Sequence, residues 1–204
     1  MKKSIIITVC IAIAAAVALM WYSGLFLPAY VTWENKQLCN GNLELKNKKV
    51  SFDLGSYYEY LISEGKDICL PENMLSDELL WKGPKNCLVS DVLLADVDKD
   101  SDDELIVLCW RIGRYGNTRP FFKKLDPPVW SQHIYVYEIS VSKNSKDIQD
   151  AGRIVGNVRA KWMASDIGLD VKSIRYEGDT LILVSKEDEE SHWKYDYFGF
   201  ARMD

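Results

Sequence analysis

The chain has 204 residues, 30 acidic side chains against 25 basic ones, and a formal net charge of -5. That balance excludes a binder of phosphate backbones held by clustered positive charge, so no nucleic acid is expected as a partner. A hydrophobic fraction of 48% supplies one domain with its own core, and the 12% of aromatic residues fall in short alternating runs that predict a mainly β domain.

At the N-terminus, Lys2 and Lys3 precede an uncharged run from Ser4 to Trp33. About 20 apolar residues cross a bilayer as a helix, so a signal-anchor transmembrane helix is expected over 1–29. Flanking lysines stay on the cytoplasmic side, which puts the N-terminus inside and the rest of the chain in an extracytoplasmic position at the cell membrane. Ala14, Ala16 and Ala18 offer an A-x-A cleavage site, the alternative reading. The apolar run continues through Met20, Trp21, Leu25, Phe26 and Leu27, past the core of a secretory signal, and favours a retained anchor. Cys10 reads as a small apolar residue of that helix. A tether over 30–41 then leads into a β domain over 42–204 with a few short helices.

Four cysteines lie beyond the anchor: Cys39, Cys69, Cys87 and Cys109. In an oxidising compartment they allow three pairings. Cys109, inside LIVLCW, reads as a buried strand residue, and Cys69 with Cys87 is the favoured pair. No C-x-x-C or Cys/His spacing points to zinc.

NLEL and KVSFDL, separated by KNK, predict a hairpin. Short helices are expected over 57–65 and 71–81, the second opening with Pro and acidic residues in its first turn. From Cys87 onward CLVSDVLLAD, ELIVLCWRI, QHIYVYEIS, DVKSIRYEG, DTLILVS and HWKYDYFGF each read as strands. Gly178 and Asp179 mark a tight hairpin turn between two of them. About eight strands, mostly antiparallel neighbours, are expected. Trp81 and Trp162 each precede a strand set, a faint sign of two related four-strand units.

Between the apolar runs VLLA and LIVLCW, Asp91 to Glu104 carry seven acidic residues and one lysine. Like charges confined to one connection repel unless something neutralises them. Calcium takes six to eight oxygen ligands, and a D-x-D-x-D loop turns alternate side chains toward one centre. Asp96, Asp98 and Asp100 have that spacing, Asp102 offers its backbone carbonyl, and Glu104 closes the shell. An EF-hand is excluded, because its twelfth position would be Val107 where a bidentate Glu is needed. The bland alternative is a solvated acidic turn.

The loop resembles the D-x-D-x-D-G-x-x-D/E-L motif of FG-GAP or VCBS-type repeats, the calcium-binding hairpins of integrin-like β-propellers. Asp96, Asp98, Asp100 and Glu104 match it, followed by Leu105, Ile106 and Val107 as the strand. Ser101 stands where the family has glycine, at a position that usually needs a left-handed backbone. The stretch WRIGRYGNTRPFFKKLDPPVWSQHIYVYEI with WMASDIG resembles a group of uncharacterised bacterial proteins with such a repeat, typically exported. This resemblance implies calcium as a cofactor and antiparallel β-propeller-like blades. A complete propeller needs at least four blades, so a partial propeller or a related β domain is expected.

In RIGRYGNTRPFFKK, Arg111, Arg114 and Arg119 form a candidate anion-binding group, since Arg offers a planar fork of donors. Their bland alternative is pairing with the acidic loop while Tyr115, Phe121 and Phe122 fill the core. His133 and His192 are weighed as general bases against structural roles, which a lone strand histidine more often has. Trp162 with Asp166, and Trp193 with Tyr195 and Tyr197, offer a sugar-binding face or core filling. No G-x-S-x-G, H-E-x-x-H or phosphate loop occurs. The expected function is a membrane-anchored extracytoplasmic binding or interaction module with a calcium-binding loop and an envelope protein or glycan as partner, no catalysis being assigned. The alternative is an accessory enzyme acting on a cell-wall or capsular polymer.

Overall fold

A computed structural model describes residues 2–28, 36–38, 41–64, 80–115, 121–140, 157–196 and 198–203. The chain divides into two compact units, Met1–Val31 and Thr32–Asp204. The first is the helix α1 (Lys2–Tyr22) with its C-terminal turn. It is apolar on every side, and 18 of its residues, Ile5–Tyr22, form a stretch long and apolar enough to cross a membrane. Gly24, at φ 73°, ends it in the left-handed conformation and donates its N–H to the Trp21 carbonyl.

The second unit is mainly β, as expected, and consists of three four-stranded antiparallel sheets, each a meander in chain order. The first sheet holds β1 (Lys36–Leu38), β2 (Leu43–Lys46), β3 (Lys49–Asp53) and β4 (Leu80–Gly83). The second holds β5 (Leu88–Ala95), β6 (Glu104–Ile112), β7 (Trp130–Ser140) and β8 (Asn157–Met163); the third holds β9 (Val171–Glu177), β10 (Thr180–Ser185), β11 (Glu190–Asp196) and β12 (Gly199–Arg202). A helix, α2 (Leu54–Ser63), follows β3; Asp53 caps it, accepting the Ser56 N–H at 3.2 Å and the Ser56 hydroxyl at 2.7 Å.

The second sheet is the middle layer, and alternation along its strands explains why. Leu105, Val107 and Cys109 of β6, with Tyr135, Tyr137 and Ile139 of β7, pack against Leu43, Leu45, Val50 and Phe52 of the first sheet. The intervening Ile106, Leu108, Ile134 and Val136 pack against Val171, Ile174, Leu181 and Leu183 of the third. A strand buried on both faces has no polar side to show, which is why LIVLCW reads as an unbroken apolar run. Gln132 ties the second sheet to the third by holding the Val171 N–H at 2.6 Å and the Val171 carbonyl at 2.7 Å. Asp91, at a bulge in β5, accepts the Ile174 N–H at 3.0 Å.

Several expectations change. Strands β1, β4 and β8 were not anticipated; β1 lies within the stretch read as tether, and Leu80 and Trp81, read as the end of a helix, belong to β4. Trp81 is drawn into the sheet because its ring packs on Tyr137, with centroids 4.9 Å apart. The rest of the helix expected over 71–81 lies outside the described residues. HWKYDYFGF is two paired strands, β11 and β12, and Gly199 is the reason: at φ 133° it leaves room for Trp162, whose Nε1 would lie 2.0 Å from any added Cβ. Cys87 is a free thiol, turned into the first core cluster beside Cys109, also free; its expected partner Cys69 is, like Cys39, among the residues not described.

A candidate metal centre and its internal cation

The acidic run forms the connection between β5 and β6, and its first residue organises it. One oxygen of Asp96, Oδ1, accepts the N–H groups of Lys99 at 2.7 Å and Asp100 at 3.2 Å; Oδ2 accepts that of Ser101 at 2.9 Å. This wraps the loop around a single carboxylate. Lys99 and Ser101 have φ of 66° and 73°, so the serine adopts the left-handed conformation for which glycine is usual. The three bonds to Asp96 offset that backbone cost, of order 1–2 kcal/mol per residue.

One ligand oxygen from each of Asp96, Asp98 and Glu104 lies within 4.8 Å of the other two. All three donors are carboxylate oxygens, the type that suits a hard cation. Asp100 is not part of this convergence; its Oδ1 accepts the Asp102 N–H at 2.9 Å, which uses both residues to shape the turn.

A protein cation stands at the same carboxylates. Lys161 Nζ donates to Glu104 Oε1 at 2.7 Å and to Asp98 Oδ2. It reaches them because β8 bulges there: Val136 pairs with Trp162 and Tyr137 with Ala160, leaving Lys161 as the extra residue with its side chain re-aimed. Glu104 is 1% exposed and also accepts the Val97 N–H at 3.0 Å. Burial pushes its carboxyl above the ordinary range, against the opposing bonds from Lys161 and Val97. Burial also works against the Lys161 charge, yet the hydrogen bonds and charges of Asp98 and Glu104 outweigh it and hold the ammonium well above its usual value. A second lysine, Lys99, ties the loop to Asp179 in the β9–β10 turn.

Nothing in the D-x-D-x-D spacing points to Lys161. The signal was a single lysine between Ala160 and the aromatic Trp162, in a strand whose alternation a bulge interrupts.

The arginines do not converge on one anion. Arg111 extends inward, its Nη1 donating to the Tyr135 hydroxyl at 3.1 Å. Arg114 is exposed and pairs with Asp166 at 3.5 Å, not with the acidic loop. Arg119 lies outside the described residues. Phe121 and Phe122 do not fill the core: they are 99% and 66% exposed and meet edge to face at 5.5 Å.

His133 is fully buried. Its Nδ1 lies 3.0 Å from the Ala164 carbonyl, and its Nε2 lies 3.0 Å from the Gly113 carbonyl and 2.9 Å from Ser131 Oγ, whose own proton goes to the Gly113 carbonyl at 2.8 Å; the tautomer decides which ring nitrogen donates. Burial lowers its pKa, so the neutral ring is the native form. His192 is partly exposed beside Glu190 at 4.0 Å. Trp162 and Trp193 pack against the second core cluster, and Tyr195 meets Phe200 with ring centroids 5.2 Å apart. Tyr197 lies outside the described residues.

No family model, curated protein or solved structure matches the chain.

Proposed function

We propose that this chain is a membrane-anchored, extracytoplasmic binding module whose Asp96–Glu104 loop takes up calcium, as in the hairpins of the FG-GAP or VCBS type that it resembles. The observation that carries this reading is the convergence of Asp96, Asp98 and Glu104 at the end of a hairpin buried on both faces. Three carboxylates supply the charge and the hard oxygen donors that calcium needs. The Asp102 carbonyl and water would complete the shell, and Asp100 would join by giving up its bond within the turn. Because Lys161 shares Asp98 and Glu104, calcium enters only as the ammonium leaves, so the lysine sets the affinity.

An extracytoplasmic orientation is supported by Lys2 and Lys3 ahead of the apolar stretch Ile5–Tyr22, with the next basic residue at Lys36. A binding role is supported by the exposed Phe121 and Phe122, which stand out with Leu125 and Val129 where a folded chain gains nothing by showing them. An envelope protein or glycan is the partner class this location implies.

Thermal unfolding of the full chain in non-ionic detergent tests the reading. Millimolar calcium raises the midpoint of the wild type and not that of an Asp96→Asn variant, since a ligand that binds only the native state stabilises it. Equal midpoints in calcium and chelator would remove the metal from the account.

A further inference from the structure

The two charged regions of the β unit are treated differently. Around the second and third sheets five basic side chains meet carboxylates: Lys161 with Asp98 and Glu104, Lys99 with Asp179, Arg159 with Glu138, Arg175 with Glu190, and Lys186 with Asp170. On the first sheet Lys46, Lys49, Lys82 and Lys85 gather around one open cleft of about 610 Å³. Among the described residues no carboxylate pairs with any of the four. Glu44, the one acidic residue of the lining, makes no ion pair with a described residue.

The backbone forces this crowding. Asn47 and Lys48 both have positive φ, the two-residue turn that makes Lys46 and Lys49 direct cross-strand partners. Like charges placed opposite each other are destabilising. Lys82 joins them from β4, where it pairs with Ser51, and Lys85 follows in the next turn. Lys49 uses one N–H on the Cys87 carbonyl at 2.8 Å and keeps two. In a chain of net charge -5, four ammonium groups converging from three segments, with no carboxylate partner among the described residues, are a local inversion of sign.

We infer that this cleft binds a phosphate-bearing anion, with the Lys46, Lys49, Lys82 and Lys85 ammonium groups on its oxygens and the Ser51 hydroxyl as a neutral donor. Lysine is a compact, mobile point charge that suits the spread negative charge of a phosphate. A cleft open to solvent admits either a free phosphate or a lipid headgroup. This site is independent of the calcium loop.

The test uses the full chain in nanodiscs and reads lysine acylation rates by mass spectrometry. In phosphatidylcholine discs, pyrophosphate slowing acylation at Lys46 and Lys82 assigns a free phosphate. Slowing in discs that contain phosphatidylglycerol, with no pyrophosphate added, assigns the headgroup. Replacing Lys46 and Lys82 by Gln weakens the anion's effect on Lys49 and Lys85 roughly five-fold per lysine at low salt. These side chains are on the solvent face of the sheet, so the variants keep the wild-type unfolding midpoint or exceed it. No protection in either disc, or equal protection of the exposed Lys194, would overturn the site.

Discussion

Lys161 and Lys46 are both lysines on β-strands, and their surroundings give them opposite consequences. Lys161 lies where a bulge aims it at two carboxylates, one of them buried, so its charge is needed by the fold. Lys46 lies opposite Lys49, so its charge is an expense that folding alone does not explain. The difference teaches that a charge is structural where removing it strands a buried partner, and a mark of recognition where removing it relieves the fold.

The largest effect expected from this contrast is at Lys161. Lys161→Met leaves Glu104 buried without its cation, and breaking one side of a buried pair costs about 3–5 kcal/mol. Denaturant unfolding of the full chain in detergent at neutral pH measures it, and adding Glu104→Gln to the variant restores much of the loss. If Lys161→Met unfolds like the wild type, the pair is ornamental.

Next in size is a component that neither region supplies. His133 is buried and its pKa is lowered, so the native state prefers the neutral ring. The unfolded chain therefore binds the proton first, and stability falls as pH is lowered through the unfolded value of about 6.5. His133→Gln flattens the slope of stability against pH between 7 and 5. An unchanged slope would mean that another group dominates acid sensitivity.

The smallest effect has the opposite sign. Lys46→Glu places a carboxylate opposite Lys49 and stabilises the first sheet by about 0.2–1 kcal/mol, read as a higher unfolding midpoint. A lower midpoint would show that the lysines already serve the fold.

How much of this was legible depended on range. β5, β6, β7, β9 and β10 were legible as runs rich in β-branched and aromatic residues bounded by turn chemistry, and Gly178–Asp179 marked its turn by residue type alone, both residues having positive φ. Asp96, Asp98 and Glu104 were legible because their relation is local, set by a short loop. Strands β1 and β4 are three and four residues long, too short for a period to emerge. β8 hides for another reason, since NVRAKWM mixes exposed Arg159 with partly buried Trp162 and its bulge breaks the alternation. Lys161 thus meets Glu104 across 57 positions of sequence, a relation made by sheet pairing rather than by spacing.

Whether the loop is a calcium site guarded by a lysine or a turn closed by that lysine alone is settled most directly by calcium titration calorimetry of Lys161→Met beside the wild type, in the same detergent. With the competing ammonium gone and three carboxylates left facing one another, the variant binds calcium at least ten-fold more tightly than the wild type, and a further Asp96→Asn change abolishes the gain. Absence of calcium binding to folded Lys161→Met would contradict the metal site and leave Lys161 as the cation for which the loop is built.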